Sequence, residues 1–181
     1  MSPDVLTYVL IGLGSALLIG AVALLVVRLR RREARNQIRS LAGRRAELSA
    51  ALHATQEAMD SLAQADEEHL AEFAHDTGSE ERQTFSEIAV RMRIVTSELI
   101  NRPVRQALRP VSSELAGAAT MLAEDVAAIG DGDGPALLAA VDELDMSAML
   151  SKLHAADDML LKLCERYGAN VDEIYGGGLY I

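Results

Sequence analysis

Two acid-x-x-His pairs, Asp66 with His69 and Glu72 with His75, have the spacing at which one helix offers a carboxylate and an imidazole to a carboxylate-bridged metal. They lie six residues apart in one segment. At 3.6 residues per turn the two histidines are rotated by about 240°, so without a partner chain they cannot close around one ion. The pairs are read as a solvated helix end, and no metal ligand is assigned. Asp131 and Asp133 invite comparison with a calcium loop. A loop begun at Asp131 would need an oxygen ligand at Pro135, glycine at Ala136 and glutamate at Asp142, and most of that pattern is missing. Cys164 is the one thiol; it lies beside an apolar helical stripe, and no spacing gives it a general base. With a single cysteine the chain holds neither an internal disulfide nor a multi-cysteine metal site. Phosphate-cradling glycine loops and nucleophile elbows are absent as well. These residues predict no enzyme, no catalytic residue and no cofactor.

The elements that position everything else begin with a block of 23 uncharged residues, 5–27. As a helix it extends roughly 34 Å, enough for a hydrocarbon core of about 30 Å. The only charge before it is Asp4, while Arg28, Arg30, Arg31 and Arg32 follow it, which is the reverse of a cleaved signal peptide. The positive-inside rule then keeps the C-terminal side cytoplasmic, with residues 1–4 outside. Arg28, Arg30, Arg31 and Arg32 are expected to contact lipid headgroups. Within the block Gly12, Ala16 and Gly20 recur every fourth residue, the small-residue pattern that lets membrane helices approach closely. Plain composition also supplies such a series.

Beyond the block the charge divides. Residues 28–45 hold eight arginines against Glu33, and residues 46–181 hold nine Lys plus Arg against 25 Asp plus Glu. An acidic body of this kind disfavours nucleic acid. Alanine and leucine dominate and only six residues are aromatic, so helices are favoured over a β-sandwich. Ile38, Leu41, Leu48, Leu52, Met59 and Leu62 fall at spacings of three and four, with Arg45 and Thr55 in the remaining places, a heptad seam of about three and a half repeats. The seam could pair with a second chain as a parallel coiled coil, or be the buried stripe of an intramolecular bundle.

The first helix is expected to reach His75, with a turn at 76–79 and a capping box of Thr77 and Glu80 opening the next helix. That helix carries Phe85, Ile88, Met92, Val95 and Leu99 and breaks at Pro103, with a second interruption at Pro110. A third carries Val111, Leu115, Ala118, Leu122, Val126 and Ile129 to Gly130. After the glycine–aspartate loop, residues 136–167 form a last helical region bent near Asp145 and ended by Gly168. The tail 169–181 is expected to be a flexible hinge with an apolar tip, Leu179, Tyr180 and Ile181, that either docks back on the protein or binds a partner.

The sequence thus predicts an all-α protein in five parts: an extracytoplasmic N-terminus 1–4, a single transmembrane helix 5–27, a basic juxtamembrane segment 28–45, an acidic cytoplasmic coiled coil or helical bundle 46–168, and the tail 169–181. The function expected is a non-enzymatic scaffold or adaptor of a bacterial inner membrane. Its expected partners are membrane lipids, proteins the sequence does not name, and a second copy in a weak homodimer. The alternative is an accessory single-span subunit of a larger membrane enzyme or transport complex.

Overall fold

The computed structural model describes residues 3–132 and 135–171; for 3–17, 135 and 138 it describes the backbone alone. Among the described residues the elements are α1 (Pro3–Gln64), α2 (Glu67–His75), α3 (Glu80–Asn101), a single 3-10 turn (Gln106–Leu108), α4 (Arg109–Asp131), α5 (Pro135–Glu143) and α6 (Met146–Tyr167), with no strand. The chain is all-α. The C-terminal half of α1 packs with α3, α4 and α6 as a helical bundle, in which α4 touches each of the other three and α5 as well.

The core follows the three-and-four spacing of the sequence. Phe85, Met92 and Val95 of α3, Leu115, Leu122, Val126 and Ile129 of α4, and Met149, Leu153 and Leu160 of α6 are all buried. Each such side chain contributes on the order of 1.5–3 kcal/mol by leaving water. Helix α3 approaches α4 closely where α4 carries Gly130, since a Cβ there would lie 2.7 Å from Ser86 Oγ and 3.3 Å from Ser86 N. Glycine at that site is a packing requirement.

The seam of α1 lies in this same core. Ile38, Leu41, Leu48, Leu52 and Leu62 are buried and Met59 is packed against them. The two polar places in the seam have defined partners: Thr55 Oγ1 donates to the Ala51 carbonyl at 2.9 Å, and Arg45 forms a two-point ion pair with Asp157 of α6 at 2.8 and 2.7 Å. Pairing the seam with a second chain would therefore require opening the bundle. Packing reaches back to Ala34, inside the segment expected to be juxtamembrane.

Four local expectations change. Helix α1 stops at Gln64 rather than continuing to His75, because Asp66 adopts an extended backbone and its carboxylate accepts from His69 N at 2.9 Å, starting α2 afresh. Phe73 of α2 packs against Phe85 of α3, ring centroids 6.4 Å apart. Thr77 and Glu80 form no capping box: Ser79 stands at the cap of α3 without a side-chain bond, and the turn is held by Gly78 N donating to Asp76 Oδ1 and by Gln83 Nε2 donating to the Gly78 carbonyl. Pro110 opens α4 instead of interrupting a helix, which its missing amide hydrogen permits in a first turn. The bend near Asp145 is a full break, with Asp145 capping α6 through Ala148 N at 2.9 Å. At the other end of α6, Gly168 takes the left-handed conformation (φ 62°) expected of a helix-ending glycine.

Before Ala34, α1 leaves the bundle as a lone stem. Leu18, Ile19, Val22, Leu24, Leu25, Val26, Val27 and Leu29 are all exposed on it. Among the described residues no helix is long and apolar enough to cross a membrane. The side chains described in the apolar block start at Leu18, leaving a stretch of about 15 Å up to Val27, half a hydrocarbon core. Of Gly12 and Ala16 only the backbone is described, and the tip residues Leu179, Tyr180 and Ile181 lie outside the described residues.

Candidate functional site

The fold sorts charge along the bundle axis. Residues 60–81 and 124–145 together contain fifteen acidic residues and no Lys or Arg. The fourteen of them that the structure describes end up at the same pole, away from the stem, because α3 and α4 are antiparallel neighbours and Arg82 ties the end of α2 to the end of α4.

Arg82 is the keystone of that pole. Its side chain is buried, 1% exposed, with no carboxylate partner among the described residues. Nε and Nη2 donate to the Gly130 carbonyl at 3.2 and 3.0 Å, Nη2 also to the Gly132 carbonyl, and Nη1 to the Phe73 carbonyl at 3.2 Å. These carbonyls belong to the last turns of α2 and α4, where unsatisfied acceptors and the negative ends of two helix dipoles coincide. One planar guanidinium serves both ends, as an ammonium could not.

Beside it, Glu81 is also buried. Its Oε1 lies 2.9 Å from His69 Nε2 and accepts from Ser61 Oγ at 3.3 Å, while its Oε2 and the neighbouring Ser79 Oγ are enclosed without a hydrogen-bond partner. Burial pushes the Glu81 carboxyl up, but the His69 hydrogen bond, its own backbone amide, the His69 charge and Ser61 outweigh it, so the group titrates below its ordinary value. His69 is correspondingly raised, first by the hydrogen bond to Glu81 and then by its charge. On the opposite side Asp125 is pushed above the usual carboxylate range by burial, then by the adjacent Glu124; Asp145 and Glu143 add to this while a backbone hydrogen bond from Asp145 opposes it.

The stem-side pole is basic. Arg28, Arg31, Arg32, Arg35 and Arg39 line one concave surface of α1 with Asn36 and, among the described residues, no carboxylate. Distant parts of the chain join them here: Arg105 pairs with Glu33 at 2.6 Å, the Arg105 amide donates to Gln37 Oε1 at 3.2 Å, Arg102 bonds Ser40 Oγ, and Arg35 Nε donates to the Tyr167 carbonyl at 3.0 Å. A groove of about 820 Å³ opens between the end of α3 and the first turns of α4, lined by Arg102, Arg109 and Lys152 together with Ile100, Ser113 and Gly117.

The residues singled out in the sequence distribute as follows. Arg28, Arg30, Arg31 and Arg32 are exposed at the basic pole. Gly20 is exposed on the stem, and a Cβ there would meet nothing within 4 Å. The acid-x-x-His pairs separate, His69 joining Glu81 while Asp66 caps α2. Cys164 is buried, and that burial raises its thiol pKa. Sequence reasoning overlooked Arg82, Glu81 and the Arg102, Arg105 and Arg109 loop. The loop is visible in retrospect as three arginines between acid-rich helices, whereas Arg82 carries no signal beyond being a lone cation among acids.

Compared with known proteins, the chain matches no family model, no curated protein and no solved structure.

Proposed function

We propose that this protein is a membrane-anchored helical scaffold, with residues 5–27 as a single span and the bundle standing at the cytoplasmic face of a bacterial membrane. The observation that carries this reading is the polarity of one molecule: α1 runs unbroken from an exposed apolar stem, past an arginine collar, into the bundle core, and the acidic pole lies at the far end. An anionic leaflet attracts the collar and repels that pole, so the bundle is held upright with its acidic surface directed away from the membrane. The partners such a surface recruits are proteins with basic faces. No reaction is assigned to it.

Topology is tested by labelling Ser2→Cys in a Cys164→Ala background with an impermeant reagent in intact cells. Labelling at position 2 together with protection of Glu68→Cys supports the orientation; the reverse pattern overturns it. The uncovered Gly20 favours a second reading, an accessory subunit whose stem packs against other spans. Stoichiometric copurification of a multi-span enzyme or transporter in mild detergent would establish that reading over the scaffold.

A further inference from the structure

Resting on the membrane-anchored reading, we propose that the basic pole is a two-tier docking surface for anionic phospholipid headgroups, in which Arg102 and Arg109 of the α3–α4 connection act with the collar of α1. The collar and the connection are separated by some seventy residues of chain and share one end only because of the fold. Residues 28–39, 102–109 and 165–166 contribute ten arginines to this end against Glu33 and Glu165, and Glu98, which lies beside Arg102, is engaged by Arg44. Glu33 is engaged by Arg105, and among the described residues no carboxylate lines the collar concavity or the mouth of the α3–α4 groove. Arg109 is exposed and has no ion pair among the described residues, and Arg102 is exposed with only a serine hydroxyl as its partner. Like charges gathered in this way are stabilised when phosphates lie between them.

Heights along α1 place the tiers. Arg28 to Arg32 lie within about 8 Å of Val27, inside a headgroup layer of roughly 5–8 Å. Arg35 and the level of Gln37, to which the Arg105 amide is bonded, stand about 12–15 Å beyond Val27, within a Debye length of roughly 8–10 Å of that layer. The Arg102 guanidinium, held at the level of Ser40, is about 20 Å out when the span is upright. Tilt of the span toward α4 lowers this side of the bundle further, at the modest inclinations usual for single helices. The collar by itself would anchor a freely pivoting bundle; the second tier fixes which side of the bundle faces the lipid.

The test uses the full chain with Cys164→Ala and Gln106→Cys, labelled with a fluorophore and reconstituted into vesicles of phosphatidylcholine alone or mixed with phosphatidylglycerol, each carrying a headgroup quencher. Flotation is scored in parallel. The expected result is incorporation into both vesicles, with stronger quenching in the anionic ones that high salt removes. Arg102→Gln with Arg109→Gln should shift the docked population by about tenfold, given the attraction of each arginine near such a surface. Equal quenching in both vesicles, or an unchanged response in the double variant with its helicity retained, overturns the docking surface and leaves the anchor standing. Flotation with anionic vesicles alone overturns the anchor and retains the surface; flotation with neither overturns both.

Discussion

Replacing Arg82 with methionine tests whether one buried cation holds the acidic pole together. Methionine keeps most of the volume but strands the carbonyls of Phe73 and Gly130, the two most enclosed acceptors, while Gly132 is positioned to recover water. At about 1–3 kcal/mol for each enclosed acceptor left without a donor, the expected loss is about 2–6 kcal/mol. A central value of about 4 kcal/mol lowers a urea midpoint by about 2 M at the slope usual for a domain of this size. Arg82→Lys keeps the charge but reaches only one helix end, and should lose about half as much. The assay is built into the chain: Cys164 is the sole cysteine and is fully buried, so its alkylation across a urea series reports opening of the bundle, read beside helicity. If the methionine variant opens within about 0.5 M of the unaltered protein, the keystone argument is wrong. Lysine behaving like methionine would show that planarity and reach, rather than charge, carry the effect.

Three further outcomes are expected. Asp157→Ala should cost about 2–4 kcal/mol, because it leaves Arg45 largely enclosed without its two-point partner, and a double-mutant cycle with Arg45→Ala should recover a coupling of about 1–3 kcal/mol by urea titration. The His69–Glu81 contact is governed by two opposite shifts. The raised His69 contributes in full below the pH at which an unfolded-chain histidine titrates and fades as pH rises through its own higher midpoint. The lowered Glu81 contributes above the ordinary glutamate range and is lost as pH falls through its own lower midpoint. The contact is therefore strongest between the two, and proton NMR should show the His69 midpoint falling in Glu81→Gln; an unmoved midpoint refutes the pairing. Gly168→Ala should cost about 1–2 kcal/mol, since the left-handed backbone disfavours a Cβ and that atom would sit 3.1 Å from Arg35 Nη2, as thermal melting would reveal.

The bundle was legible in the sequence because its helices obey a three-and-four rule that survives reading one helix at a time. Every apolar position named in the stripes of α3 and α4 is buried, and the glycine after α6 ends that helix as its type requires. The errors fall where a polar side chain competes with helix propagation. Nothing in the composition of residues 60–70 distinguishes an Asp66 that continues a helix from one that caps a new one; in the fold it caps α2, whose Phe73 meets Phe85 across the turn at 76–79. The acid-x-x-His pairs share one helix in the structure as well, α2, where Asp66 is the cap and His69 turns to Glu81.

Charge was the feature the linear reading most nearly exposed and least fully used. Counting arginines after the apolar block located the collar, but Arg102, Arg105 and Arg109 sit in a part of the sequence whose balance is acidic, so their sign was averaged away. An antiparallel arrangement reverses that averaging. A helix leaving the collar and a connection returning to it put residues 33 and 105 in contact at 2.6 Å, while the fourteen described acids of residues 60–81 and 124–145 gather at the other end. The cost of crowding those acids is partly relieved by the two pieces of chemistry buried among them, a guanidinium satisfied by helix carbonyls and a carboxylate held by a histidine. On the scaffold reading proposed above, a surface made negative in this way, on a frame fixed by Arg82, would discriminate partners by charge without requiring a pocket. That is why variants at this pole should separate into two kinds, those that loosen the frame and those that alter only what it attracts.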